Sequence, residues 1–170
     1  MSKIRLAWMV AGLASLTAAC AARPEANVKA AAAEQLQCDR SSASGDDVRI
    51  LQQTTVLSAG PLYSHVITKD SSDNRITGAK LLVRAPEGVS TDRLTRVLQC
   101  HSAQVLLGQV DPSRFADEPY WLPNTWLDID VKSENGNFLV VLRADNIPDG
   151  LQVLHRATAF VDTHHATVDP

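Results

Sequence analysis

Strict alternation of apolar and polar residues marks the clearest β-strand of the chain, from Trp126 to Lys132. A half-buried strand shows this period because successive side chains point to opposite faces of a sheet. Asn135-Gly136, a strong signal for a two-residue hairpin turn, comes next, and Phe138–Leu142 is the predicted return strand. The pattern therefore predicts an antiparallel pair in the last third of the chain.

A second pair of strands is predicted earlier. Leu62–Thr68 and Arg75–Arg84 are extended runs, and the turn-forming residues at 70–74 separate them as in a hairpin. Another strand is predicted over Val48–Leu57, ended by Ala59-Gly60-Pro61. That strand would add an edge to the sheet.

Helical periodicity follows each pair of strands. The first helix begins after Ser90, a good N-cap, and stops at Gly108. The second is capped by Asn146, with Pro148 just inside it. The apolar positions at helical spacing are Leu94, Val97, Leu98, His101 and Val105 in the first helix, and Leu151, Leu154, Thr158 and Val161 in the second.

Each half therefore consists of strand, turn, strand and helix. We predict an α+β fold: a two-layer sandwich with an antiparallel sheet of four to five strands and two helices on one face, in the order ββα-ββα. The single domain is expected to span residues 38–162, with a disordered tail over 163–170. The predicted core consists of Leu94, Val97, Leu98, Leu127, Ile129, Val131, Leu151 and Leu154.

The N-terminus has the layout of a secretory signal. Lys3 and Arg5 precede an apolar run that starts at Leu6 and is too short to span a membrane. The run ends in Thr17-Ala18-Ala19-Cys20, and small residues directly before a cysteine resemble the lipobox of bacterial lipoproteins. The resemblance implies that residues 1–19 are removed and that Cys20 is lipidated. An ordinary signal peptide cut near Ala19, or an uncleaved anchor, is the alternative.

The block ITGAKLLVRAPEG, together with DRLTRVLQCH, also resembles uncharacterised bacterial lipoproteins. This resemblance implies no activity. The lipobox resemblance, with Ala21 after the cysteine, implies a periplasm-facing protein anchored to the cell envelope, at the outer membrane rather than the inner. Residues 20–37 are expected to form a flexible, lipid-anchored tether. The alanines at 30–33 can form a short helix there, but it lacks an apolar face wide enough for deep packing.

Charge excludes one class of partner. The chain has 16 basic and 19 acidic residues, and removal of Lys3 and Arg5 with the signal leaves a net charge of −5. A chain of this charge offers no basic patch for a phosphate backbone, so we expect no nucleic-acid binding. The partners we expect are the membrane, through the lipid anchor, and another envelope protein.

Cys38 and Cys100 remain if Cys20 carries lipid, and two cysteines in an exported chain predict one disulfide. In the chain-entropy model, closing a loop of that length stabilises the fold by about 4 kcal/mol. Two free thiols, which need a reducing compartment, are the alternative.

His101 stands beside Cys100 within the apolar stripe of the first predicted helix. Adjacent helical residues point about 100° apart and do not readily ligate one ion. We therefore interpret His101 as a buried ring bonded to backbone or to a carboxylate, and we predict no cofactor. A copper or zinc site that combines His101 with His65 and His155 is the alternative.

The loop at 108–125 holds three prolines and three of the aromatic residues. Phe115, Tyr120 and Trp121 form a candidate contact surface. Exposed aromatic clusters are rare in monomers, so we favour the interpretation that the rings fold back to plug one end of the core. The sequence has no nucleophile elbow, phosphate-binding glycine loop or zinc-protease motif. We therefore expect a non-enzymatic envelope lipoprotein, with a periplasmic metal-binding protein second. An enzyme comes third and would need a concave polar pocket.

Overall fold

The computed structural model describes residues 22–41, 44–67 and 72–165. The predicted signal peptide, Cys20 and the last five residues lie outside these ranges. The helices and strands are α1 (Ala22–Ser41), α2 (Ser44–Gln53), β1 (Val56–Ile67), β2 (Ser72–Val83), α3 (Thr91–Leu106), β3 (Asp128–Glu134), β4 (Asn137–Arg143) and α4 (Ile147–His165). A short 3₁₀ helix, Pro112–Phe115, lies between α3 and β3.

The fold is α+β, with one antiparallel four-stranded sheet in the order β1-β2-β4-β3. The two hairpins are each followed by a helix, as the alternation and helical periodicity predicted. Leu81 lies opposite Val140, and Val140 lies opposite Val131, so one face of the sheet is continuously apolar. Leu98 of α3 and Val153 of α4 belong to the same buried cluster as these residues. Both helices therefore cover this face.

The ends of α3 are set by the residues just before and just after it. Ser90 is its N-cap, and its side-chain oxygen accepts a hydrogen bond from the backbone N–H of Arg93. Gly108 follows the helix with φ of +67°, a conformation that glycine adopts readily. No helix in the described ranges combines the length and the apolar character needed to cross a membrane.

Leu151 is the one predicted core residue that is exposed, at 48%. The buried side of α4 is formed instead by Gly150, Val153 and Ala157. Gly150 lies so close to the sheet that an added Cβ would stand 2.6 Å from the carbonyl carbon of Thr77. This close approach sets the rotation of the helix about its axis. Of the predicted inner face, Leu154 and Val161 pack partly buried against the core, and Leu151 is turned toward solvent.

The predicted strand over Val48–Leu57 is wrong for most of its length, because residues 44–53 form α2. Asp46 and Asp47 lie in the first turn of α2, where negative charge suits the helix dipole. Ile50 is buried in the core while Val48 is 55% exposed. Ile50, with the partly buried Leu51 beside it, holds this segment against the core, and no alternating pattern does so.

β1 runs through Gly60 and Pro61, where the sequence predicted a break. Pro61 lies opposite Ala79 of β2. β1 is an edge strand, and a proline is tolerated there because its missing N–H removes no bond to a second neighbour. The predicted turn at 70–74 falls partly outside the described residues, and its last three residues already belong to β2.

Helix α1 occupies the segment expected to be a flexible tether. Ala31 and Cys38 are buried, and α1 packs against α3. The side chain of Asn27 donates a 2.7 Å hydrogen bond to the backbone oxygen of Asn124. Alanines allow this close packing because they have almost no side chain to displace. A wide stripe of large apolar residues is therefore not needed to hold α1 in place.

A candidate ligand cleft beside His101

A cleft of about 610 Å³ lies between α2, α3 and the loop at 108–121. We call it the His101 cleft. Its apolar wall includes Leu51, Val97 and Phe115. Its polar side chains include Gln104 and Gln109. A concave site with an apolar wall and a few polar groups has the composition of small-ligand and peptide sites.

His101 contributes a buried ring to the cleft, and its side chain is 5% exposed. The helical periodicity of α3 turns it inward, as predicted. Its Nε2 atom lies 2.7 Å from Oε2 of Glu118, within hydrogen-bonding distance. The ring also meets Phe115 edge to face, with centroids 4.6 Å apart. The structure thus agrees with the interpretation of His101 as a buried ring bonded to a carboxylate.

Glu118 belongs to a loop that is held in place from the other side by Arg156 of α4. The Nη2 atom of Arg156 donates to the backbone oxygens of Ala116, at 2.7 Å, and of Glu118, at 2.6 Å. Burial lowers the pKa of the Arg156 guanidinium, while the charges of Asp117 and Glu118 act in the opposite direction. Because Arg156 holds the loop backbone at Ala116 and Glu118, the Glu118 carboxylate that contacts His101 is held in position from α4.

The aromatic residues of the loop turn inward. Tyr120 and Trp121 are 4% and 7% exposed, so these two rings fold back over the core, the favoured interpretation, and do not form a contact surface. Trp121 donates from Nε1 to the backbone oxygen of Phe115 and stacks beneath the Arg156 guanidinium, 4.5 Å from the ring centroid. Phe115 is half-buried and forms part of the cleft wall. Tyr120 and Trp121 cover one end of the core because burial of their apolar surface outweighs the cost of folding the loop back.

Cys38 of α1 and Cys100 of α3 form a disulfide, with Cα atoms 5.8 Å apart, as predicted. Cys100 also lines the His101 cleft. The Glu34 carboxylate lies close to both sulfurs, and this trio is the only group of three possible metal ligands among the described residues. Because the two sulfurs are bonded to each other, they do not present two thiolates to a metal ion.

The histidines of the alternative metal site do not meet among the described residues. His65 lies on β1 and contacts Asn74, with Nδ1 2.9 Å from Oδ1. His155 lies on the exposed side of α4, and His101 is buried beside Glu118. The structure thus does not bring His101, His65 and His155 to a common ion. These residues belong to three different elements, and no spacing in the sequence required them to converge.

A second cleft, of about 740 Å³, lies on the other side of the same loop. Arg114, Phe115 and Glu118 line both clefts, so the loop forms the wall between them. Phe160 and His164 near the end of α4 line the second cleft, with ring centroids 4.0 Å apart. Sequence reasoning missed Arg114, Glu118 and Arg156, because they lie in a loop or on a helix flank and no periodic pattern marks them.

The described lining of the His101 cleft offers little for covalent chemistry. It contains no serine or threonine hydroxyl and no lysine amine, and its cysteine is in a disulfide. It does contain acid–base groups, so the presence of a concave polar pocket does not by itself separate binding from catalysis.

Comparisons with protein-family models, curated proteins and solved structures find no match for this chain.

Proposed function

We propose that this chain is a lipid-anchored, periplasm-facing protein of the bacterial cell envelope. It acts without catalysis and binds part of another envelope component in the His101 cleft. The observation that carries the proposal is the disulfide between Cys38 and Cys100. Disulfides persist in oxidising compartments, and the secretory layout before Cys20 supports export to one.

The binding part of the proposal rests on the cleft. Its histidine is already occupied by Glu118 and Phe115, so the ring supports the wall rather than reaching for a substrate. Val48 lines the cleft with 55% of its surface exposed, and Leu51 lies one turn further along α2. Apolar side chains left in solvent at the edge of a concave surface are typical of a surface that a partner covers.

The anchor is tested on the full chain expressed in a bacterial host. We expect the mature protein to begin at Cys20, to carry acyl chains by mass spectrometry, and to sediment with membranes. A Cys20→Ser variant should lose the acyl mass and be released into the soluble fraction. An unmodified, soluble wild-type protein would contradict the proposal.

The cleft is tested by site-specific photo-cross-linking in intact cells. A photoreactive phenylalanine at Val48 should give a discrete adduct with an envelope component, and the same probe at Tyr63 should not. Tyr63 is a matched control because it is 56% exposed and lies on β1, of which no described residue lines the cleft. Equal labelling from both positions would reject the cleft as the binding site.

The metal-binding alternative predicts a different result. A metal that binds the native state raises the melting temperature, because ligand binding stabilises the state that binds. We expect Zn²⁺ and Cu²⁺ to leave the melting temperature of the wild type and of His101→Phe unchanged. A metal-induced rise in the wild type that disappears in His101→Phe would favour the alternative.

A further inference from the structure

We propose that one end of the domain, which carries Val28, Ile147 and Leu151, rests on the surface of the lipid bilayer. We call it the anchor end. This inference depends on the proposed lipidation of Cys20. It adds that the domain is held against the membrane in a single orientation, where a flexible tether would let it turn freely.

The first step is that α1 is fixed to the domain along its length. Asn27 bonds to the backbone of Asn124, Ala31 is fully buried, and Cys38 is joined to Cys100. These three attachments lie near the start, the middle and the end of the helix. α1 therefore moves with the domain as one body.

The second step is the short distance from this helix to the anchor. Two peptide units separate Cys20 from Ala22, so their Cα atoms are at most about 7 Å apart. Five helical residues carry the chain from Ala22 to Asn27, a rise of about 7.5 Å. The lipid-bearing residue thus lies within about 15 Å of Asn27, whatever path the chain takes between Cys20 and Ala22.

The third step is that α4 begins at the same end. Asn27 contacts Asn124, and the next residue, Thr125, donates from its hydroxyl to Asp149 of α4 at 3.3 Å. The first turn of α4 is closed by Asn146, whose side-chain oxygen accepts from the backbone N–H of Asp149. The starts of α1 and α4 are therefore linked through one short loop.

The fourth step is the apolar surface that this end exposes. Val28, Ile147 and Leu151 are 48%, 37% and 48% exposed. Ile147 and Leu151 are one helical turn apart and lie on the same side of α4. Three large apolar side chains in solvent, at the end of the domain where α1 and α4 begin, match what an interfacial contact buries. The lipid chains supply the affinity, and these side chains select the orientation.

Charge argues for an apolar contact. The described charged side chains within a few residues of Val28 and Ile147 are Glu25, Lys29, Arg143, Asp145 and Asp149, so basic groups do not outnumber acidic ones there. Such a surface gains nothing from anionic lipids. We therefore choose vesicles of zwitterionic phosphatidylcholine for the test, and we expect the contact to persist at high salt.

The test uses the lipidated full chain in phosphatidylcholine vesicles whose upper acyl chains carry bromine, a quencher of tryptophan fluorescence. Tryptophan is introduced as Leu151→Trp and, as matched control, as Leu36→Trp. Leu36 is 61% exposed on α1, and it lies about 12 Å further along the helix axis than Val28. We expect Leu151→Trp to show about twice the fractional quenching of Leu36→Trp, after subtraction of the wild-type signal. Ile147→Trp serves as a second reporter if Leu151→Trp does not fold.

The outcomes separate the two proposals. A protein that fails to float with the vesicles, and resembles Cys20→Ser, overturns the proposed function and the orientation with it. A protein that floats but shows equal quenching at positions 151 and 36 overturns only the orientation. Stronger quenching from Leu36→Trp would also overturn it, because the exposed side of α1 would then lie on the bilayer.

Discussion

The imidazole of His101 and the carboxylate of Glu118 meet at 2.7 Å and tie the loop at 108–121 to α3. His101 is 5% exposed and Glu118 is 23% exposed at its side chain, so the contact lies mostly out of water. A buried polar atom that loses its partner costs about 1–3 kcal/mol. This bond is therefore a main stabiliser of the cleft wall.

Replacing Glu118 by alanine should lower the free energy of unfolding by about 1–3 kcal/mol, because His101 would keep a buried nitrogen without its partner. Urea denaturation followed by circular dichroism measures the change. Glu87→Ala, at an exposed residue in the turn before α3, should change stability by less than about 0.5 kcal/mol. Equal effects from both variants would show that the His101–Glu118 contact contributes nothing specific.

Removing the disulfide should free α1 before the rest of the domain. The double variant Cys38→Ser, Cys100→Ser should lose up to about 4 kcal/mol of stability, because the 62-residue separation no longer restricts the unfolded chain. Hydrogen–deuterium exchange should accelerate over residues 22–41 more than over β2 and β4. Uniform acceleration throughout would mean that α1 is not a separate unit.

Two glycines of the sheet should respond oppositely to alanine. At Gly78 of β2 an added Cβ would stand 1.9 Å from the carbonyl oxygen of Leu142, so Gly78→Ala should cost about 1–3 kcal/mol or more through overpacking. At Gly60 of the edge strand β1 no atom lies within 4 Å of that position. Gly60→Ala should be neutral or slightly stabilising. Thermal melting of the two variants gives the comparison, and similar losses would argue against the strand register.

The buried hydroxyl of Tyr120 has no hydrogen-bond partner among the described residues. Burial raises the pKa of Tyr120 above its ordinary 10.0, and the charge of Glu118 raises it further. The folded protein then keeps a proton that the unfolded chain releases. The contribution of this proton to the free energy of unfolding is therefore fully present below about pH 10, and it is lost as the pH rises beyond that value.

Tyr120→Phe should be neutral or stabilising at pH 7, because it removes a buried polar atom at little cost in volume. The variant should also lose less stability than the wild type as the pH rises above about 10. Tyr63→Phe, at an exposed strand position, leaves Tyr120 as the only tyrosine and should retain that loss. Denaturation between pH 7 and pH 11 checks both. A clear loss of stability for Tyr120→Phe at pH 7 would point to a partner such as bound water.

Local sequence patterns predict those strands, turns and helix ends that are marked by a regular spacing of apolar residues or by a capping or turn residue. The alternation at Trp126–Lys132, the Asn135-Gly136 turn and the Ser90 cap all lie where the structure has β3, the hairpin and α3. Such signals are local, because a strand or cap needs only its neighbours in sequence to be recognised. The same patterns predict a strand from Val48, but residues 44–53 form α2, in which Ile50 is buried in the core.

The candidate site was partly foreseen. Helical periodicity predicts His101 on the inner face of a helix, and the secretory signal together with the two remaining cysteines predicts the pairing of Cys38 with Cys100. Glu118 and Arg156 were not foreseen, because neither belongs to a periodic pattern near His101. Their roles follow from a loop that crosses between α3 and α4, and that path is set by contacts far apart in the chain.

The sequence by itself determined the alternation, the caps, the turn and the two ββα units, since each depends on residues within a few positions of one another. Only the tertiary structure decided the rotation of α4, the packing of α1 on α3 and the partners that hold Trp121 against the core. These features depend on how closely two surfaces approach. A glycine against a strand, alanines against a helix and rings against a core reveal their roles only when the opposing surface is known.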